Sequence, residues 1–203
     1  MNKNYPIDEI HSYGLDIENR VIYVNSEIEI EGEENGVDHK MASKFLRNID
    51  FLNGINDRVI TVKMMNCGGD WNYGMAIYDC IKKSKSKVNT VSYAHARSMS
   101  SIIPQASKAR YISKHADFMV HYGEYGDSGD MRKVVSGLKH YETQNKVMLD
   151  IYAYRCVNGE FFSSKNYSTE DTARYIEEQI NKKTDWWITA EEAVYYGFMD
   201  KVV

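Results

Sequence analysis

The sequence predicts a single α/β domain with a mainly parallel sheet. Two observations carry that expectation: β-branched and aromatic runs alternate with stretches of helical periodicity, and nothing resembling a linker interrupts them. The runs Val21-Ile22-Tyr23-Val24, Val59-Ile60-Thr61-Val62, Val88-Asn89-Thr90-Val91, Arg110-Tyr111-Ile112 and Phe118-Met119-Val120 read as strands. Met41, Phe45, Ile49 and Leu52 recur at helical spacing before the second run, and Trp71, Met75, Tyr78 and Ile81 do so after it. Strand-helix-strand order with right-handed crossovers gives parallel pairing, helical cover and strand-end loops open for chemistry. With 2 prolines in 203 residues, and neither a low-complexity tract nor an internal repeat, residues 1–203 are expected to fold as one unit.

The C-terminal half is more helical. Met131, Val134, Val135, Leu138, Tyr141, Met148 and Ile151 suggest one long helix over about residues 130–156, longer than a small core requires. Ser168 with Asp171, and Thr189 with Glu192, fit the capping pattern in which a hydroxyl and an acid three residues on satisfy each other's backbone N–H. Gly197 suits the end of the second capped helix, and residues 199–203 suit a last strand. Residues 1–20 form an N-terminal segment ahead of the first strands.

Composition narrows the function. Lys and Arg total 25 against 29 for Asp and Glu, a net charge of -4 without a basic block, so nucleic acid is not an expected partner. No apolar run approaches the roughly 18 residues that span a bilayer, and the polar start Met1-Asn2-Lys3-Asn4 lacks a signal-peptide core. A cytoplasmic location is expected. Cys67, Cys80 and Cys156 are odd in number and widely spaced, which indicates reduced thiols rather than disulfides or a zinc site. Neither a metal nor a cofactor is expected.

Serine needs an adjacent base, held in one tautomer by a third group, before it becomes a nucleophile at neutral pH. Ser98 follows the third strand and opens an apolar stretch through Met99, Ile102 and Ile103, so its hydroxyl could stand at a strand-to-helix turn with the Met99 N–H beside it. Gly68-Gly69 follows the second strand and could bring a further backbone N–H close to a substrate. His121 ends the strand at Val120, and Asp185 lies in the turn before the helix capped by Thr189. Each residue alone also fits a structural role: a serine caps helices, a Gly-Gly pair makes turns, and His11, His39, His95, His115 and His140 compete with His121. The case rests on their joint arrangement.

That arrangement resembles the proteolytic subunit of the Clp protease, a crotonase-like fold of repeated β-β-α units with a mainly parallel sheet and a long protruding helix after the catalytic histidine. Gly68-Gly69 followed by Gly74-Met75-Ala76-Ile77-Tyr78-Asp79 is similar to the family's glycine turn and following helix, Arg97-Ser98-Met99 to its nucleophile segment, and Met119-Val120-His121 to its base. Asp185, then Thr189-Ala190-Glu191-Glu192-Ala193 and Tyr196-Gly197-Phe198-Met199-Asp200, are similar to its acid and its C-terminal signature. The likeness runs from about Val21 onward. It implies a serine endopeptidase with Ser98, His121 and Asp185 as triad, the N–H groups of Gly69 and Met99 as oxyanion hole, and Gly68, Tyr122 and Gly123 against the substrate. Substrate would lie extended along the glycine-rich stretch 123–129. The resemblance further implies a homo-oligomer of two stacked heptameric rings joined through the 130–156 helix, protein or peptide substrates, and an AAA+ unfoldase docked on the ring.

Several residues depart from the family pattern. Cys67-Gly68-Gly69 replaces Ser-Pro-Gly-Gly, Arg97 and Ser100 replace small residues beside the nucleophile, Tyr122-Gly123 replaces Gln-Pro, and Thr184 stands where an arginine precedes the acid. Three other readings stay open on sequence alone: a catalytically silent ring component or scaffold, a peptidase of this fold working without an ATPase, and an acyl-CoA enzyme of the wider crotonase-like group.

Overall fold

The computed structural model describes residues 6–25, 34 and 36–203. A short helix α1 (Pro6–Tyr13) leads into β1 (Leu15–Asp16) and β2 (Val21–Asn25), and α2 (His39–Ile55) crosses to β3 (Ile60–Asn66). Next come α3 (Trp71–Lys83), the long strand β4 (Val88–Arg97) and a four-residue helix α4 (Met99–Ile102), continued by a 3-10 turn at Ile103–Ala106. Two strands follow in succession, β5 (Ala109–Ile112) and β6 (Asp117–Val120), before α5 (Met131–Cys156). The chain closes with α6 (Glu160–Ser163), α7 (Thr169–Lys183), β7 (Trp186–Ile188), α8 (Ala190–Tyr195) and β8 (Lys201–Val202).

The alternation of apolar runs and helices is resolved as a parallel sheet. The order is β1-β2-β3-β4-β5-β8, parallel from β2 onward, with β1 antiparallel at the edge. β3 shows why it sits centrally: Ile60, Val62, Met64 and Asn66 are buried in strict alternation. Helix α2 covers the sheet with Ala42, Phe45, Ile49 and Leu52, the positions that recur every turn. Its end is held by Arg20, 2% exposed, whose guanidinium donates to the carbonyls of Leu52 (3.0 Å), Asn56 (3.2 Å) and Arg58 (3.2 Å).

β4 runs several residues past its β-branched stretch, and an irregularity makes this possible. Met64 pairs with Ser92 but Asn66 with Ala96, so β4 carries extra residues there, and Ala94 turns to φ 56°. Below this bulge β4 pairs with β5, from Asn89 to Ser92; above it, from His95 to Arg97, it pairs with β6. One strand thus serves two neighbours, and β6 is brought beside the end of β4 that leads into Ser98. On its other edge β6 pairs antiparallel with β7.

Helix α5 spans 26 residues, roughly 39 Å at 1.5 Å per residue. Only its second half enters the core, through Met148, Tyr152, Ala153 and Cys156, while Met131, Val135 and Leu138 stay 74%, 43% and 44% exposed. The capping boxes at Ser168 and Thr189 form as the sequence predicts, and Gly197 follows α8 at φ 84°. Among the described residues no helix is long and apolar enough to cross a membrane.

Asp200 ties the end of the chain to β5. It accepts from the Arg110 backbone N–H at 2.7 Å and Nε at 3.2 Å, and it forms a further ion pair with Nη2, while Nη1 donates to the carbonyls of Gly197 and Phe198. Partial burial pushes the Asp200 carboxyl up, but the hydrogen bonds and charge of Arg110 outweigh it and hold the group below the ordinary carboxylate range. A depressed folded-state pKa gives stability that is present above the unfolded value of about 3.9 and is lost as pH falls through the folded one. Asp200→Asn is therefore expected to lower the thermal midpoint at neutral pH by roughly 2–4 °C, the effect of about 1 kcal/mol in a domain of this size, and to flatten the decline below about pH 4. Melting curves monitored by circular dichroism across pH 3–7 check both parts.

Candidate active site

Strand register brings two of the three candidate groups together and sets the third at the end of the neighbouring strand. β6 pairs with β4 through His95 with Asp117, Ala96 with Phe118 and Arg97 with Met119, which sets Ser98 level with Val120. The Ser98 N–H donates to the Met119 carbonyl at 3.1 Å. β6 pairs with β7 through Phe118 with Ile188, Met119 with Trp187 and Val120 with Trp186. One more step along that antiparallel register sets His121 opposite Asp185. Their side chains meet there, Nδ1 to Oδ1, at 3.1 Å.

The direction of each group is held separately. Asp185 follows Thr184, a β-branched residue at φ 64°, ψ −67°, and the Asp185 N–H donates to the Lys183 carbonyl at 2.8 Å. This is a three-residue γ-turn of the strained hand. Behind Asp185, Trp186 is 1% exposed and packs against Tyr196 and Phe198 with ring centroids 5.1 and 5.6 Å away. The acid is fixed between a strained turn and a buried anchor. With Asp185 accepting at Nδ1, the His121 proton sits on that nitrogen and the Nε2 lone pair is left open. Nε2 is buried and, among the described residues, has no hydrogen-bond partner; no bond joins it to Ser98 Oγ in the isolated chain.

Ser98 occupies φ 50°, ψ −127°, a region that L-residues avoid, at the junction of β4 and α4. Two buried hydroxyls hold the turn. Ser101 Oγ donates to the Ser98 carbonyl at 2.6 Å and lies 2.6 Å from the Tyr152 hydroxyl. Ser101 has one proton to give, so Tyr152 donates to it and links the turn to the buried half of α5. Ser100 Oγ donates to Asn66 Oδ1 at 2.7 Å, and the same oxygen accepts the Gly68 N–H at 2.9 Å. Asn66 is fully buried, and its amide ties the glycine loop to the helix that starts at the serine. Ser100 is thus part of the support of the turn.

Glycine is required at 68 by close approach. A Cβ there would lie 2.7 Å from Ser98 Cβ and 3.0 Å from the Arg97 carbonyl oxygen, at φ 118°. Gly69 forms a parallel bridge with Val37 that uses the Gly68 carbonyl and the Asp70 N–H, leaving the Gly69 N–H outside the bridge. Met99 is the first residue of α4, so its N–H has no partner within the helix. Its side chain is buried against α3 at Gly74, where a Cβ would lie 2.6 Å from the sulfur.

Tyr122 and Gly123 are engaged within the chain. The Tyr122 hydroxyl donates to Glu177 of α7 at 3.4 Å, and burial followed by the Glu177 charge pushes the phenol up to about 12. The Gly123 carbonyl accepts from Tyr141 of α5 at 2.6 Å, and Tyr125 reaches the Val134 carbonyl at 3.1 Å while stacking on Tyr141. Residues 121–128 form no strand. Among the described residues no cluster of His, Cys, Asp or Glu could hold a metal ion.

A profile of the family described as Clp protease matches residues 16–203. The chain belongs to the Clp protease family. At family level this makes it a Clp-type peptidase, in keeping with the resemblance in the motifs. It is 30% identical over 169 residues to ATP-dependent Clp protease proteolytic subunit 2 of Tropheryma whipplei, covering 82% of this chain and 86% of that one. The same-named protein of Thermobifida fusca is 28% identical over 170 residues, covering 82% and 76%. ATP-dependent Clp protease proteolytic subunit 1 of Corynebacterium jeikeium is 26% identical over 189 residues, covering 91% and 87%.

Sequence reasoning passed over the supports of this candidate site: Asn66, Ser101, Tyr152 and the positive φ at Thr184. A polar residue at a core position of an alternating strand, as at Asn66, is the one signal that could have been followed. Asn66→Ala would strand the Gly68 N–H and the Ser100 hydroxyl in a buried place. We expect a loss of about 2 kcal/mol or more, roughly 4–8 °C in thermal midpoint. A melt that differs from the unaltered protein by less than about 1 °C would show that the amide is not the tie described.

Proposed function

We propose that the chain is the proteolytic subunit of a Clp-type serine endopeptidase, with Ser98 as nucleophile, His121 as general base and Asp185 as the acid that orients it. The observation that supports this most is the hydrogen-bonded His121–Asp185 pair lying one strand from a serine held in a strained strand-to-helix turn. Ser98 Oγ attacks the peptide carbonyl and passes its proton to His121 Nε2, while Asp185 keeps the Nδ1 proton in place and stabilises the imidazolium. The oxyanion accepts from the N–H groups of Gly69 and Met99. Collapse moves the proton from Nε2 to the leaving amine, and the acyl-serine ester is then hydrolysed by a water that His121 deprotonates.

Substrate lies extended beside Gly68 and the 123–129 stretch, so that recognition is largely through backbone hydrogen bonds. In the isolated chain the Tyr141 hydroxyl already holds the Gly123 carbonyl that a substrate strand would use. The relatives are named as subunits of ATP-dependent Clp proteases. By analogy we place this chain in the cytoplasm, in stacked heptameric rings fed by an AAA+ unfoldase. The exposed Met131, Val135 and Leu138 on the protruding half of α5 support contact between rings through that helix. The rival reading is a catalytically silent ring component, favoured by the missing bond between Ser98 Oγ and His121 Nε2. Such bonds are often long before substrate binds, so the missing bond does not count against the catalytic reading.

Hydrolysis of fluorogenic peptides by the assembled protein separates the two. Ser98→Ala is expected to abolish turnover, and Asp185→Asn to lower kcat on the order of a thousandfold or more with the fold intact. Equal rates for Ser98→Ala and the unaltered protein would end the catalytic reading. Tyr141→Phe frees the Gly123 carbonyl and is expected to lower KM about two- to tenfold with kcat unchanged, since one competing hydrogen bond is removed. An unchanged KM would mean that substrate does not pair at Gly123.

A further inference from the structure

Arg97 is the residue before Ser98, and its side chain crosses the strands that carry the other two groups. Arg97, Met119 and Trp187 stand at one level across β4, β6 and β7. The Arg97 guanidinium carbon lies 4.9 Å from the centroid of the Trp187 ring, and Nη2 pairs with Asp117 of β6 at 3.2 Å. Met119, between the stacked pair in the register, is only 7% exposed although its cross-strand neighbours Arg97 and Trp187 reach solvent. Alternation along β6 places Asp117, Met119 and His121 on one face, opposite the buried Phe118 and Val120. The brace therefore lies on the face from which His121 meets Asp185.

We propose that Arg97 is a positioning residue that fastens the strand of Ser98 to the strands of His121 and Asp185, so that the three groups keep one spacing. The proposal rests on the catalytic reading of those groups. Each anchoring point is close to a reacting group in sequence: Arg97 precedes Ser98, Asp117 lies four residues before His121, and Trp187 two residues after Asp185. β7 is three residues long and, among the described residues, pairs with β6 rather than β4, so the stack on Trp187 ties it directly to the strand that leads into Ser98. Arg97 Nε is buried and has no hydrogen-bond partner among the described residues, a cost accepted for the position of the planar group over the indole. The stack and the ion pair are both partly exposed, with side-chain exposures of 34% for Arg97 and 59% for Asp117, so neither is a strong contributor to folding. Their value is geometric, because a small misplacement of reacting groups is costly in rate.

The test uses Arg97→Ala, Arg97→Lys, Trp187→Ala and the double variant Arg97→Ala/Trp187→Ala in the assembled protein. With a neutral fluorogenic peptide, Arg97→Ala is expected to lower kcat roughly tenfold with KM within about twofold. Trp187→Ala should match it, the double variant should be no slower than either single one, and Arg97→Lys should recover part of the rate. Hydrogen exchange read by mass spectrometry supplies an arm independent of turnover: backbone amides of residues 185–188 should exchange several-fold faster in Arg97→Ala, with those of β3 unchanged. If the unaltered protein hydrolyses nothing, the catalytic reading fails, and the exchange arm still decides whether Arg97 braces β7. The proposal is overturned by unchanged kcat and exchange in Arg97→Ala, by additive losses in the double variant, or by a loss confined to peptides with acidic residues. The last result would make Arg97 a substrate-binding group.

Discussion

The site depends on one constraint: β6, a strand of four residues, pairs on both edges at once, parallel to β4 and antiparallel to β7. Side chains on a strand alternate, so a slip of one residue on either edge would send His121 into the core or turn Asp185 away from it. The apolar pattern forbids that slip. Phe118 and Val120 are fully buried, as are Trp186 and, nearly so, Ile188 on the facing strand, and a slip of one residue would expose them. Burial of these side chains, at about 1.5–3 kcal/mol each, is what holds the polar couple together. The hydrogen bond between His121 and Asp185 follows from the packing rather than causing it.

The bulge in β4 is the second requirement. β5 is spent at Ile112, opposite Ser92, and the bulge lies just past that point, where β4 changes neighbour to β6. The extra residues lie between Ser92, the last to pair with β5, and His95, the first to pair with β6, three residues before Ser98. The strained backbone at Ser98 is then retained by three ties: the Met119 carbonyl, the Ser101–Tyr152 hydroxyl pair and the Asn66 amide. Strain of this kind costs on the order of 1–3 kcal/mol, and it persists where the surroundings over-determine it. At Thr184 the same holds, with α7 on one side of the turn and buried Trp186 on the other.

Much of the fold is legible in the sequence because it depends on local periodicity. The strand and helix cores at Val21, Ile60, Val88, Phe118, Phe45 and Ile81 were marked by apolar spacing, and the caps at Ser168 and Thr189 by their hydroxyl-acid pairs. The upper half of β4 was not: Ala94, His95 and Ala96 have weak β-propensity, and their strand state is imposed by β3 and β6. Helix α1 and the short α6 lack a periodic signal of useful length. For the site, the residue types and their order were readable, and the register explains why His121 meets Asp185 one strand away from Ser98. The internal engagement of Tyr122 and Gly123 was not readable, since it depends on Glu177 and Tyr141, which lie 55 and 18 residues further along the chain. Arg97 reads as a departure from the family pattern in sequence and as a cross-strand contact only once Trp187 and Asp117 stand beside it.

As proposed, the register of β6 against β4 and β7 turns Ser98 into a nucleophile. Covalent labelling with a fluorophosphonate, with the adduct located by peptide mass spectrometry, measures that reactivity without reference to a protein substrate or an unfoldase. One adduct per chain is expected, on Ser98, and it should disappear when the protein is unfolded in urea before exposure. A folded protein that leaves Ser98 unmodified, or carries the adduct on another serine, would contradict the proposal.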